Sequence, residues 1–293
     1  MFAQLFAVMA PVIAGAGVGF FWVKFKQPYP TEFITKLVLN VGTPCLIIGS
    51  LSQTHVDIEA FKDMALATLM VVALMALVGA ALAFWRKLEW QMVVPAMAFP
   101  NTGNMGLPIS LYAFGQQGFG YAVAVFVVMS LLQFVVGSLT ASRRPLRSIV
   151  RTPTLYAIVI ALVMMAYGIV LPRWLANSIE LLAGFTIPMM LITLGVSLAS
   201  IRARNIGAGV GFGLLRVAIA ALISLAIGWG LALPAQETAQ LLLQMCMPVA
   251  VYNYLFALKA GRSPEKVASL VLCSTLLSFL YLPVLLSYVL TSG

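Results

Sequence analysis

Apolar runs of about 20 residues follow one another almost without interruption, and that pattern leaves few folds open. At a helical rise of ~1.5 Å per residue, such a run matches the ~30 Å hydrocarbon layer of a bilayer. Ten runs can be traced, over approximately residues 3–23, 31–51, 63–85, 90–115, 119–141, 153–171, 178–201, 206–233, 236–260 and 265–291. The connections are short. Pro28 and Pro30 stop the first run, and Pro145 and Pro153 bracket the central loop, because proline disfavours helix at and before itself. Only 9% of the 293 residues are charged and 62% are hydrophobic, against roughly 25% charged in soluble domains. A soluble core of that size would have almost nothing polar to cover it. The chain reads as an all-α membrane protein of ten transmembrane helices with no soluble domain. The first run lacks a basic leader and continues past its small residues, so it reads as a membrane helix and not a signal peptide.

The formal charge of +9 does not require nucleic acid as a partner, because Lys and Arg have a second use in membrane proteins, setting orientation. Lys24, Lys26 and Lys36 flank the first connection, and Arg86 and Lys87 lie in the third. Arg143, Arg144, Arg147 and Arg151 mark the fifth, Arg202 and Arg204 the seventh, and Lys259, Arg262 and Lys266 the ninth. The even connections hold only Lys62 and Arg173, with Asp57 and Glu59 in the second. A miscounted helix would scramble this alternation. The odd connections are therefore expected in the cytoplasm, with both termini outside.

The long basic loop divides the ten helices five and five. An odd number per half inserts the second half upside down, the arrangement of many secondary transporters. The expected organisation is a first repeat over 1–142, a short cytoplasmic loop over 143–152 and an inverted second repeat over 153–293. The halves correspond in detail. Each second span carries a central proline, Pro44 in 40-NVGTPCLIIGSL-51 and Pro188 in 184-GFTIPMMLITLGVSL-198. Each fourth span is interrupted too, by Pro100 and Pro108 in 98-AFPNTGNMGLPIS-110 and by Pro248 in 248-PVAVYNY-254. Membrane helices tolerate single kinks, but paired breaks at matching places point to a transporter's binding site.

Unwinding a helix frees N–H and C=O groups that hydrocarbon cannot satisfy, so such segments belong inside protein or beside a wet cavity. The half-helix after each break aims its N-terminus at the midplane, with about half a positive charge and free N–H donors. Two such ends from opposite sides would hold an anion, most naturally a carboxylate. Asn101, Thr102 and Asn104 add side-chain groups on one side, and Asn253, with Tyr252 beside it, on the other. The alternative for these asparagines is a helix cap without ligand.

Arg216 is the one basic residue well inside a span. It is read as snorkelling toward the cytoplasmic face on its long stem, the alternative being attraction of an anion. No Asp or Glu lies deep in a span; Glu180 and Glu237 are near ends. That weakens a proton or cation relay through a buried carboxylate and leaves the coupling ion open between H⁺ and Na⁺. Cys45, Cys246 and Cys273 fall in apolar runs without metal-site spacing, His55 lies in an outer loop, and no cofactor or metal is implied. There is no intramembrane His, HExxH or paired Asp, so no catalytic residue is assigned and an intramembrane enzyme is disfavoured. The GxxxG spacings in 15-GAGVG-19 and 207-GAGVGFG-213 allow close helix packing. Gln91, Gln133 and Gln244 line a cavity or bond neighbouring helices.

NVGTPCLI, PNTGNMGLP and IPMMLITLGVSLA, in that order and on those spans, resemble the auxin efflux carrier family, which includes the plant PIN-FORMED proteins and bacterial relatives. The resemblance covers essentially the whole chain. It implies two inverted five-helix halves with crossing helices 4 and 9, a scaffold and a transport domain, elevator-like motion and a homodimer. It also implies organic anion substrates, namely auxin in plants and dicarboxylates such as malate or malonate in bacteria, where the location would be the inner (plasma) membrane. By position, Pro100, Asn101, Asn104 and Pro108 would sit in the substrate region, with Pro248 and Asn253 opposite. The large hydrophilic loop of the plant members is absent here, so regulation through it does not carry over. A sodium-coupled carrier similar to the bile acid symporters shares the broken-helix plan and is the nearest alternative, and an anion channel is a further one.

Overall fold

The computed structural model describes residues 2–53, 58–141, 152–201, 206–260 and 263–292. His55, Asp57, the central basic loop with Arg143, Arg144, Arg147 and Arg151, and Arg202, Arg204 and Arg262 lie outside the described residues. Among those described the chain is helical, with one isolated bridge of extended backbone. The helices are α1 (Phe2–Lys24), α2 (Thr31–Leu37), α3 (Thr43–Gln53), α4 (Ile58–Arg86), α5 (Trp90–Ala98), α6 (Leu107–Ala141), α7 (Pro153–Tyr167), α8 (Arg173–Gly184), α9 (Thr186–Ser200), α10 (Ile206–Gly230), α11 (Ala235–Met245), α12 (Val251–Ala260) and α13 (Pro264–Ser292). Wider π-helical turns at Val38–Gly42 and Thr102–Gly106 precede α3 and α6. Within α6 the helix is interrupted at Gly115 (φ 62°, ψ −160°), a conformation that costs little only for glycine.

Among the described residues six segments are long and apolar enough to cross a bilayer: Ala3–Lys24, Thr31–Leu51, Ile58–Arg86, Arg173–Ser200, Ile206–Gly230 and Pro264–Thr291. Gly118–Gln133 and Pro153–Tyr167 are shorter apolar helices. Large apolar side chains such as Phe6, Phe84, Leu222, Leu280 and Val284 stand exposed, which suits lipid and not water. All five tryptophans, Trp22, Trp85, Trp90, Trp174 and Trp229, lie within two residues of a helix end and are exposed. That is the position of an interfacial aromatic belt. The protein is an integral, multi-pass membrane protein.

Helix ends repeat one device. Gln27 N–H bonds Trp22 O and Lys26 N–H bonds Val23 O, with Lys26 at φ 58°. Leu88 and Lys87 do the same for α4, and Leu233 and Ala232 for α10. These left-handed caps satisfy carbonyls that would otherwise be orphaned at a helix C-terminus.

The helices cluster into two compact units. The first takes residues 63–102 and 201–293, with a few N-terminal residues. In it α13 packs along α10, α11 and α12, and α5 lies against α12 and α13. Gly209 and Gly213 let α10 approach α13 closely, since a methyl on either would press on Cys273 or Ser274.

The second unit takes residues 7–62 and 103–200. Here α3 packs on α6, α7 and α8. α1 and α9 touch backbone to backbone: a methyl at Gly19 would fall on Ile192 O, and one at Gly195 on Ala16 O. The GxxxG spacing of α1 is thus used for packing. Tyr29 OH meets Thr193 Oγ1 at 2.7 Å; burial pushes this phenol up, and the Thr193 bond opposes it. Both units draw on both halves of the sequence.

Candidate functional site

In the first unit the chain unwinds twice, and the two unwound segments meet. Proline disfavours the helical region for the residue before it. Phe99, before Pro100, is extended (φ −109°, ψ 94°) and ends α5. The run after Met245 is likewise non-helical until α12 starts at Val251, with Pro248 in its middle. Pro100 pairs with Val249 in an antiparallel bridge. Asn101 N–H donates to Pro248 O at 2.8 Å, and Ala250 N–H donates to Phe99 O at 3.1 Å. Pro100 therefore occupies the pair position that exchanges no bonds of its own, so its missing N–H leaves nothing unsatisfied.

Further freed groups find protein partners. Arg216 Nε donates to Ala96 O at 3.0 Å, and its Nη1 donates to Met247 O and, at 3.4 Å, to Met245 O. Tyr281 OH donates to Cys246 O at 2.6 Å. Val249 N–H donates to Ser274 Oγ at 3.1 Å, and Asn253 N–H to Ala250 O at 3.0 Å. Two expectations are corrected here. The N–H groups of Asn101, Val249, Ala250 and Asn253 are not free donors for a ligand, because backbone this deep must be paired. Nor does Arg216 snorkel: it is 2% exposed, because the carbonyls ending α5 and α11 hold it inside.

What the protein does not satisfy is more specific. Asn101 and Asn253 are 5% and 4% exposed. Asn101 Nδ2 and Asn253 Oδ1 are buried with no hydrogen-bond partner among the described residues. Asn253 Nδ2 donates to Phe99 O at 3.3 Å, which fixes the amide so that Oδ1 is the atom left over. One buried donor on the first unwound strand and one buried acceptor in the first turn of α12 thus stand unpaired at the crossing. Buried polar atoms without partners are costly and call for an explanation.

The other predicted residues take these places. Thr102 is buried beside Asn101, and Tyr252 is half-buried in the first turn of α12. Asn104 is half-buried in the π-helical turn, where the neighbouring Gly103 lies against the Phe126 ring. Pro108 is buried in the first turn of α6. Pro44 and Pro188 belong to the second unit, each in the first turn of a helix, α3 and α9. Their two interruptions also face each other, because a methyl at Gly42 would meet Thr186 and Phe185. A cleft of about 260 Å³ lined by Leu225, Trp229, Thr238, Leu242 and Tyr288 contains none of the predicted residues. Sequence reasoning missed Tyr281 and Ser274, whose partners lie 25 or more residues away in sequence and carry no local pattern.

A family described as "Membrane transport protein" matches residues 4–145 and 140–286. An uncharacterized transporter of Methanothermobacter thermautotrophicus is 26% identical over 270 residues, covering 85% of this chain and 86% of its own. An uncharacterized transporter of Methanocaldococcus jannaschii is 25% identical over 195 residues, 61% of this chain and 62% of its own.

Proposed function

Since the chain belongs to the membrane transport protein family, that of the auxin efflux carriers, we propose that it is a secondary transporter for a small organic anion, a mono- or dicarboxylate, bound at the crossing in the first compact unit. The observation that carries this reading is the pair of buried, unpartnered amide atoms, Asn101 Nδ2 and Asn253 Oδ1, beside backbone whose N–H groups at Asn101, Val249, Ala250 and Asn253 are bonded within the protein. An anion's oxygen suits the Asn101 donor, and hydrogen bonds to charged groups are the stronger kind. Thr102 flanks the same strand. The helical segments leaving the crossing, from Thr102 and from Val251, turn the positive ends of their dipoles to it, while α5 and α11 turn their negative ends. The ten spans are read as two inverted five-helix repeats, which the facing of like interruptions in each unit supports. In the elevator form of transport, the unit bearing the crossing moves as a body. The membrane is a bacterial inner membrane with both termini outside, in keeping with the alternation of basic connections.

One observation favours a second reading. Asn253 Oδ1 is an acceptor, which an ionised carboxylate cannot satisfy. A coupling Na⁺ could, as in a carrier similar to the bile acid symporters; so could the hydroxyl of a hydrogen dicarboxylate. The test is thermal stabilisation of the purified protein by a carboxylate panel, with and without Na⁺ and across pH, followed by uptake into proteoliposomes. A ligand of the native state raises its stability. Stabilisation and saturable uptake of a carboxylate are expected. A panel without effect, or conductance far above carrier turnover, would overturn the reading.

A further inference from the structure

We propose that Arg216 is a positioning residue that both ties the two unwound strands together and gives the crossing its preference for negative charge; this rests on the anion reading above. The guanidinium reaches across the unit, from α10 to Ala96 O near the end of α5 and to Met245 and Met247 O at the end of α11. Arginine suits this task because its planar fork carries several donors in fixed directions, where lysine is a point charge.

The electrostatics follow from which helix ends meet. Two helices enter the crossing, α5 and α11, and their C-terminal ends each carry about half a negative charge. Two helical segments leave it, and their N-terminal ends each carry about half a positive charge. Without a further charge the four ends cancel, and the site would have no preference. Arg216 places one full positive charge on the two negative ends. The sum over the crossing then rises to about one positive charge, which matches a monoanion. Its 2% exposure keeps that charge unscreened by water. Tyr281, which donates to Cys246 O, supplies hydrogen bonding at the same place without charge. The sequence already marked Arg216 as the one basic residue deep in a span, but not its partners.

The test uses the full chain in lipid nanodiscs, with Arg216→Lys and Arg216→Met. Hydrogen exchange is read at Asn101 and Ala250, whose amides bridge the strands, and at the α10 segment 222–228 as control. Exchange at the crossing about tenfold faster, with the control unchanged, is expected, and more so in Arg216→Met. Unchanged exchange at the crossing, acceleration spread equally over α10, α11 and α13, or failure of both variants to fold would overturn the role in favour of a general anchor. Binding is then compared between a carboxylate that the wild type takes and its uncharged amide analogue. Arg216→Met should weaken the carboxylate by an order of magnitude or more and the amide by less than threefold. Equal weakening would overturn the electrostatic part. If the wild type binds no carboxylate at all, the anion reading and the charge preference built on it both fail, while the exchange data still decide the positioning role.

Discussion

Replacing Asn101 with alanine should separate stability from binding in an unusual direction. Most substitutions of buried polar residues destabilise because they orphan a partner. Asn101 is different: its backbone N–H bonds Pro248 O at 2.8 Å, and any residue except proline keeps that bond. Its side-chain Nδ2 has no partner among the described residues. Removing an unsatisfied buried amide relieves a penalty of ~1–3 kcal/mol. Against that stands the packing lost with the amide group, about 1 kcal/mol for a small volume. The empty protein should thus be unchanged, or more stable by up to ~2 kcal/mol. Binding should move the other way. A hydrogen bond to a charged ligand contributes ~1.5–3 kcal/mol, so affinity should fall by about 10- to 150-fold. The assay pairs reversible unfolding of purified protein with calorimetric titration of the carboxylate found by the stabilisation screen. A variant destabilised by more than ~2 kcal/mol, which would place it among buried hydrogen-bond losses, with affinity intact, would show that the amide serves the fold and not the ligand.

Three further outcomes follow from the same geometry. Asn253→Ala should change stability by no more than about 1 kcal/mol, because the bond to Phe99 O is lost while the unpaired Oδ1 is removed with it and Ala250 N–H still satisfies that carbonyl; calorimetry should show weakened ligand or cation binding. Gly195→Val should cost more than ~3 kcal/mol, beyond ordinary overpacking, because the added carbons fall on the Ala16 carbonyl and rigid backbone cannot yield; unfolding of the purified variant measures it. In a chain whose native cysteines are replaced by serine, a cysteine at Lys87 should react with an impermeant maleimide only from the cytoplasmic side, and one at Arg173 only from outside.

Much of this fold was legible because bilayer constraints are local. Length, hydropathy and the absence of charge identify spans one at a time, and six of those read from the sequence recur as described segments long and apolar enough to cross a bilayer. The breaks were legible for the same reason, since proline acts on its own turn. What could not be read was who satisfies the freed groups. Arg216 meets Ala96 across 120 positions and Met247 across 31, and no pattern around Arg216 encodes either. The expectation of free N–H donors fails at Asn101, Val249, Ala250 and Asn253 for this reason. A sequence shows that a helix stops, not that a second stopped helix lies against it and takes its donors. The asparagines were found as polar residues in an apolar stretch; which of their atoms stay unpaired depends on the bridge and on Phe99 O.

The prolines make a final distinction. All of Pro44, Pro188, Pro100 and Pro248 sit at interruptions, but their backbones differ. Beside Pro44 the chain keeps helical angles: Thr43 has φ −62° and ψ −46°, and one wider turn absorbs the bond that proline cannot donate. Phe185, three residues before Pro188, also stays helical at φ −78°, ψ −17°. At Phe99 the residue before the proline turns extended, and there, as around Pro248, the chain leaves the helix, so that the two unwound strands pair. The ring is therefore expected to matter for binding at Pro100 and not at Pro44. Each Pro→Ala change should cost ~0.4–1 kcal/mol through the freer unfolded chain. Pro100→Ala alone should also weaken ligand binding several-fold, because it lets Phe99 return toward helix and loosens the strand that carries Asn101. Calorimetry on both variants decides it: an affinity loss in Pro44→Ala equal to that in Pro100→Ala would mean that the extended strand is not what positions the ligand.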